Sequence, residues 1–372
     1  MAEYGFLVLP SHNRVYSQAA PDLARAELAV FSETALAGKL TGIGGTTLGG
    51  VPYVTFRADG LTAGEVRLLS NLSSLYALFE ITGQSLRPVP LDPLDRFGSD
   101  LLTIAKYPGK TNEDFTKLLL NVTAMATASP WDLLAGKLRV LDPLCGRGTT
   151  LNQAMMYGLD AAGLDIDGKD FDAYSAFIQT WLKHNRVKHH AETSTIRRDR
   201  AVAGRRLHIV LGASKEQYRA GDTIELTAVH ADTLACGSFF RPESFDLIVT
   251  DTPYGVQHGS RRPPDARGGR SVPGGRGGRE VLSRSPVELL AASVPGWIRL
   301  LRPGGAIGIS WNTHVARRDA IAAILDGSGC EVAGSPAYLG FRHRVDQAII
   351  RDLIVARKRP PAAAGGPPPP PQ

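Results

Sequence analysis

The stretch Leu138–Thr150, LRVLDPLCGRGTT, limits the fold more than any other part of the chain. A short apolar run closes on an acid, Asp142. A loop with glycines at 146 and 148 then leads into the helical run TTLNQAMMYG. An apolar run too short for a helix, followed by a segment of helical period, reads as strand, tight turn and helix. The unit then repeats. DAAGLDID is a second strand and YSAFIQTWLKHN a second helix, and IELTAVHAD, FDLIVTD and AIGISWN are each shaped like buried strands. Helices are predicted over 285–300 and 315–326, and a closing strand pair over 336–340 and 348–356. Buried strands alternating with helices predict an α/β, Rossmann-like fold on a mostly parallel sheet covered on both faces.

Around this domain, predicted over 111–358, three further segments are expected. Residues 1–85 read as a small α/β unit. It has strands at Tyr4–Leu9, Val51–Arg57 and Tyr76–Thr82, helices at Pro21–Phe31 and Ala63–Leu75, and a glycine-rich turn at Gly42–Gly50. Residues 86–110 are proline-bearing and aperiodic and read as a linker. Thr111 or Asn112 then caps a helix over 112–127. Residues 359–372, RPPAAAGGPPPPPQ, read as a disordered, polyproline-II tail open to a proline-recognising protein partner.

Composition removes several function classes. Cys145, Cys236 and Cys330 are too far apart for a metal knuckle or a disulfide scaffold, so a reducing, cytoplasmic setting and no metal site are expected. No run approaches the roughly 18 apolar residues of a membrane span, and the start, MAEYGFLVLP, lacks the basic flank of a signal peptide. The net charge of +6 is unevenly spread. Residues 183–206 carry eight Lys/Arg against Glu192 and Asp199. Residues 259–284 carry seven Arg against Asp265 and Glu280. A mildly acidic body with two basic segments suits a polyanionic partner. The second segment, with ARGGR and GGRGGR, has the Arg/Gly form that binds RNA through charge and stacking.

The strand ends carry the chemistry. Gly146 and Gly148 let the backbone approach a ligand, and the helix start behind Thr149 offers unpaired N–H groups. GxGxxG is absent, and an acid at 142 would repel a pyrophosphate, so the loop around Cys145 suits a ligand with an ammonium group. Asp165 lies about 20 residues further on, at the end of the second strand, where an acid accepts from ribose hydroxyls. Ile166 follows it, and Asp167 reads as a helix cap. Asp232 and Thr233 end the third strand, with Asp232 placed to accept from an adenine amine. Three acids at successive strand ends define one crevice outside the carboxyl edge of the sheet.

The fourth strand ends Asp251-Thr252-Pro253-Tyr254-Gly255. From Asp142 to Tyr254 the chain resembles the class I S-adenosylmethionine (SAM)-dependent methyltransferases that modify exocyclic amines of nucleobases. Their signature is Asp/Asn/Ser, Pro, Pro, then Tyr/Phe/Trp. Here Thr252 takes the place of the first proline. The resemblance implies a seven-stranded, mostly parallel sheet and SAM as cofactor. An exocyclic amine is a poor nucleophile because its lone pair is delocalised. The Asp251 carboxylate and a carbonyl at Thr252 or Pro253 accept its two hydrogens, and Tyr254 stacks on a base splayed from its helix. Catalysis is then orientation in a desolvated pocket.

Finer likenesses point to the tRNA guanosine N2-methyltransferases that act at position ten: Lys110–Thr116, the Asp-x-Pro-Tyr-Gly form, and Phe341–Arg344 before the last strand. Pro10–Tyr16 is similar to the start of that family's amino-terminal region, which there joins a tRNA-gripping THUMP domain. No complete THUMP module is recognisable in residues 1–85. Arg14 and Arg342 are candidate phosphate contacts. Trp311 and Asn312 end the fifth strand, as core residues or as lining of the target pocket. The expected function is methylation of guanine N2 in tRNA. The alternatives are adenine N6 of DNA or rRNA, a protein glutamine amide, and a non-catalytic RNA-binding protein on the same fold.

Overall fold

The computed structural model describes residues 1–11, 13–107, 109–198, 201–252 and 286–360, with only the backbone of Arg198 and Ala201. Two sheets form the framework. Pro253, Tyr254, the Arg/Gly insert 259–284 and the tail from residue 361 lie outside the described residues.

The smaller sheet has the order β2-β3-β1-β4-β5 and is antiparallel throughout. Its strands are β1 (Ala2–Val8), β2 (Thr41–Leu48), β3 (Val51–Ala58), β4 (Leu75–Thr82) and β5 (Ser85–Val89). Helices α1 (Arg14–Glu33) and α2 (Ala63–Leu69) accompany it. Two expectations fail here. The glycine-rich run is mostly strand β2, and only Gly49 and Gly50 make the turn. Their φ values of +58° and +83° suit the two-residue hairpin whose twist matches its strands. Helix α1 begins two turns before Pro21, because Asn13 caps it by accepting from the N–H groups of Val15 and Tyr16. The predicted linker also holds structure: β5, and the short helix α3 (Asp100–Thr103).

Helix α4 (Glu113–Met125) is capped by Asn112, which accepts from Phe115 N–H at 3.0 Å. A buried polar network joins it to the smaller sheet. Glu27 of α1, fully buried, accepts from Ser73 and from Asn121 of α4. Asn121 in turn accepts from the Tyr157 hydroxyl. Each member is satisfied, which is the condition for a buried network to specify a packing rather than weaken it. Burial still raises the Glu27 carboxyl above its ordinary range.

The larger sheet has ten strands in the order β13-β15-β12-β11-β6-β7-β10-β9-β8, with β14 paired to β15. Its parallel centre comprises β12 (Leu301–Asn312), β11 (Phe245–Asp251), β6 (Arg139–Asp142), β7 (Asp160–Asp165) and β10 (Ile224–His230). The helices α5 (Thr149–Met156), α6 (Gly168–His184), α8 (Pro286–Leu300) and α9 (Arg318–Gly327) cover it, and α7 (Lys215–Ala220) links β9 to β10. The expected seven-stranded, mostly parallel sheet is therefore a parallel core with antiparallel strands on both flanks. One flank is β13 (Cys330–Val332), β14 (His343–Arg344) and β15 (Ile350–Lys358). Residues 336–340, predicted as a strand, form a short 3-10 turn instead. The other flank is a hairpin, β8 (His189–Arg198) and β9 (Ala201–Leu211), made from the basic segment. Its alternating Thr, Ile, Val and Leu residues suit an edge pleat. Among the described residues no helix is long and apolar enough to cross a membrane.

Candidate active site

Parallel pairing brings the strand ends to one edge. Asp142 lies beside Gly163, Asp165 beside His230, and Asp251 beside Ser310. Asp142 is 3% exposed. Its Oδ1 accepts from the Thr250 hydroxyl at 2.8 Å and from Leu144 N–H at 3.1 Å. Burial pushes its carboxyl up to about 7, with the hydroxyls of Thr150 and Thr250 only partly offsetting the loss of water. Asp165 organises the loop itself. Its Oδ2 accepts from Gly146 N–H at 2.8 Å and its Oδ1 from Asp167 N–H at 2.7 Å. Burial raises this carboxyl too. Asp167 caps α6 by accepting from Lys169 N–H.

Gly148 is the cap of α5 at φ +78°, and a Cβ there would stand 2.3 Å from the Tyr174 ring. Only glycine supplies both the backbone and the space. Cys145 is buried, and its thiol is raised well above its ordinary value, first by burial and then by Asp142, which disfavours the reactive thiolate. The hydroxyls of Thr149 and Tyr107 lie 3.1 Å apart, and Arg147 stacks 4.7 Å from the Tyr107 ring while pairing with Asp170. Ile166 is 54% exposed between two acids, an apolar platform on the open side of the crevice. Asp232 accepts from Leu234 N–H, whereas the Thr233 hydroxyl turns inward and accepts from the Trp297 indole.

The transfer-side strand end is built differently. Asp251 Oδ2 accepts from the Thr111 hydroxyl at 2.6 Å and from Arg351 Nη2 at 3.2 Å, and Oδ1 accepts from the Ser310 hydroxyl. Arg351 is 3% exposed and lies 4.6 Å over the Phe115 ring. Thr252 is buried, and its N–H and hydroxyl both donate to Ser310 O, at 2.9 and 3.0 Å. That explains the departure from proline. A proline could make neither bond, and the ladder between β11 and β12 would end one residue earlier. Trp311 is a core residue whose indole donates to Ala316 O, and Asn312 ties the 345–350 loop. Arg14 and Arg342 are both exposed.

Sequence reasoning missed Thr111 and Ser310 as site residues, and Arg351 altogether. A charged residue inside Ile349–Ala356, an otherwise apolar run broken by Arg351 and Asp352, was the available signal. A cleft of about 1220 Å³ adjoins this end, lined by Tyr16, Tyr107, Lys110, Thr111, His343 and Arg351 among others. One of its walls thus carries both Tyr107, which touches the glycine loop, and Thr111, which touches Asp251. Among the described residues no cluster suited to a metal ion occurs.

Residues 123–265 match the family model of the RMKL-like methyltransferase domain. No curated protein matches the chain. Similar solved structures include magnesium protoporphyrin IX methyltransferase from Synechocystis with bound SAM, 13% identical over 68% of this chain and 86% of that one, with a TM-score of 0.36. A putative rRNA methylase from Clostridium thermocellum is 12% identical over 59% and 88%, with a TM-score of 0.32. A TehB-like SAM-dependent methyltransferase from Corynebacterium glutamicum is 12% identical over 60% and 80%, with a TM-score of 0.30. The chain carries a class I SAM-dependent methyltransferase domain, with SAM as its cofactor. The residues present fit that group: acids at the ends of β6 and β7, an exposed apolar platform at Ile166, open space over Gly146, and Asp232, which does not end β10 as expected but follows His230 by two residues and caps the next turn.

Proposed function

We propose that this protein methylates an exocyclic amine of an RNA nucleobase, and that its target is guanine N2 in tRNA. The observation that carries this reading is the strand end at Asp251, set beside Asp142 and gripped by Thr111, Ser310 and Arg351. The family match supports RNA guanine N2 as the class of target.

SAM supplies an activated methyl group on a sulfonium. Asp142 would take its ammonium end, the loop of Cys145, Gly146, Gly148 and Thr149 would line the approach, Asp165 would accept from the ribose, Ile166 would offer an apolar surface, and Asp232 would accept from the adenine amine, with Thr233 behind it bonded to Trp297. Asp251 accepts a hydrogen of the target amine. With Asp251 anchored by three donors, the carboxylate does not reorient as the nitrogen turns its lone pair toward the methyl carbon. The proton leaves through Asp251 during or after transfer. In this reading the Thr252 or Pro253 carbonyl takes the second hydrogen and Tyr254 stacks on the base.

The test is methyl transfer from labelled SAM to bulk tRNA, rRNA and DNA from cells lacking the gene, followed by digestion to nucleosides. Labelled N2-methylguanosine in the tRNA fraction is expected. Label in N6-methyladenine would move the target base. Absence of label from every nucleic acid would overturn the RNA reading.

A further inference from the structure

The basic segment 183–206 does not act as one patch, because the sheet divides it. Lys183 and Arg186 are exposed beyond the end of α6, near His189, which pairs with Leu211 and so lies at the amino edge of β10. Arg205 pairs with His230, at the carboxyl edge. Pairing between β9 and β10 stops there, while pairing between β8 and β9 continues through Ile196–Gly204, Arg197–Val202 and Arg198–Ala201. At about 3.4 Å per residue, the four residues before Arg205 carry the hairpin roughly 13 Å past the end of β10. That edge is the one that bears Asp142, Asp165 and Asp251.

The hairpin is anchored at its base. Arg205 donates to Asp172 and to Gly168 O, and lies 4.8 Å over the Phe171 ring. Ile196 packs against the core on the α8 side. Beyond these anchors Arg197 and Val202 are exposed, and the sequence adds Arg198 and Arg200 against Asp199. A strand pair that outruns its sheet buries little and leaves an edge to water. Arg197 on that edge is a charge placed at a distance from the body.

We infer that the β8–β9 hairpin is a docking arm for the phosphate backbone of the RNA substrate, holding it on the β10 flank of the carboxyl edge, four strands or about 19 Å from the Asp251 strand, while the target base enters. The inference rests on the RNA reading above. The contact is made by arginine to phosphate, so it contributes affinity and register rather than base identity.

The test is the affinity of full-length protein for bulk tRNA as a function of salt. The variant pair is Arg197→Glu with Arg198→Glu. A charge-matched control, Lys183→Glu with Arg186→Glu, alters the far end of the same segment. SAM affinity reports that each variant is folded. The arm variant is expected to bind tRNA at least tenfold more weakly, with the salt slope reduced by roughly 1.5 to 2, while the control stays near wild type. Arg197→Gln with Arg198→Gln should give the same slope change with a smaller loss. Equal losses in the arm variant and the control would reduce the effect to net charge and overturn the arm. An arm variant that binds as wild type would overturn it while leaving the RNA reading intact. Failure of the wild type to bind tRNA, with SAM binding intact, would overturn the RNA reading itself.

Discussion

The adjacent strand ends at Asp142 and Asp251 are both acids at the carboxyl edge of one parallel sheet, and they are opposites in environment. Asp142 is held by hydroxyls and a backbone N–H, and burial drives its carboxyl up to about 7. Asp251 is held by two hydroxyls and the buried guanidinium of Arg351. The protein places a cation beside Asp251 and, among the described residues, pairs none with Asp142. A buried acid without a cation leans to its neutral form and would be stabilised as the anion by a cationic ligand, whereas a carboxylate clamped by a guanidinium and two hydroxyls resists reorientation. In the proposed function this divides the edge into a cofactor end and a transfer end.

The largest effect that sharpens this contrast is expected from Arg351→Met. Removing the cation strands a mostly buried carboxylate, which costs about 3–5 kcal/mol. Urea unfolding should show that loss, and Arg351→Lys should recover part of it. A loss under about 1 kcal/mol would show that the hydroxyls hold Asp251 unaided.

Next comes pH. The Asp142 carboxyl is raised from its ordinary range to about 7. A raised group contributes stability that is fully present below its unfolded value, near 3.9, and is lost as pH rises through about 7. A ligand ammonium favours the ionised form, so SAM affinity should rise across the same window, with protons released on binding. Calorimetry in buffers of different ionisation heat reads both. A flat profile, or one that survives in Asp142→Asn, would sink the assignment.

Thr252→Pro tests the join between the two ends. It removes two bonds to Ser310 O and should cost about 1–3 kcal/mol in urea unfolding. Thr252→Val keeps the N–H bond and should cost about 1 kcal/mol. Equal losses would place the whole effect in the hydroxyl.

The smallest effect lies outside the contrast. Arg205→Ala breaks a half-exposed pair with Asp172 and should lower stability by under about 1 kcal/mol. A larger loss would mean that the hairpin contributes to the core.

The parallel centre of the sheet was legible because β6, β7, β10 and β11 are apolar runs closing on polar residues, and buried strands leave that pattern whatever surrounds them. The acids at 142, 165 and 251 fell at the expected strand ends for the same reason. The flanks were not legible. Segment 183–206 reads as charge, yet its β-branched residues let it pair on an edge where arginines meet water. The glycines of β2 read as turn, yet an edge strand tolerates them. The clamp on Asp251 was hidden because Thr111 and Arg351 lie 140 and 100 residues away in sequence, and only pairing between strands brings them together. Thr252 stands in the sequence only as a departure from proline, and its two bonds to Ser310 O depend on a strand 58 residues away.

The division of labour along this edge is tested most directly by measuring SAM affinity and methyl transfer together in Asp142→Asn and Asp251→Asn. Asp142→Asn is expected to weaken SAM binding tenfold or more. Asp251→Asn is expected to hold SAM within about twofold of wild type while transfer falls by roughly 10²–10⁴. Loss of SAM binding in Asp251→Asn to the same degree as in Asp142→Asn, or full transfer in Asp251→Asn, would contradict the assignment of the two ends.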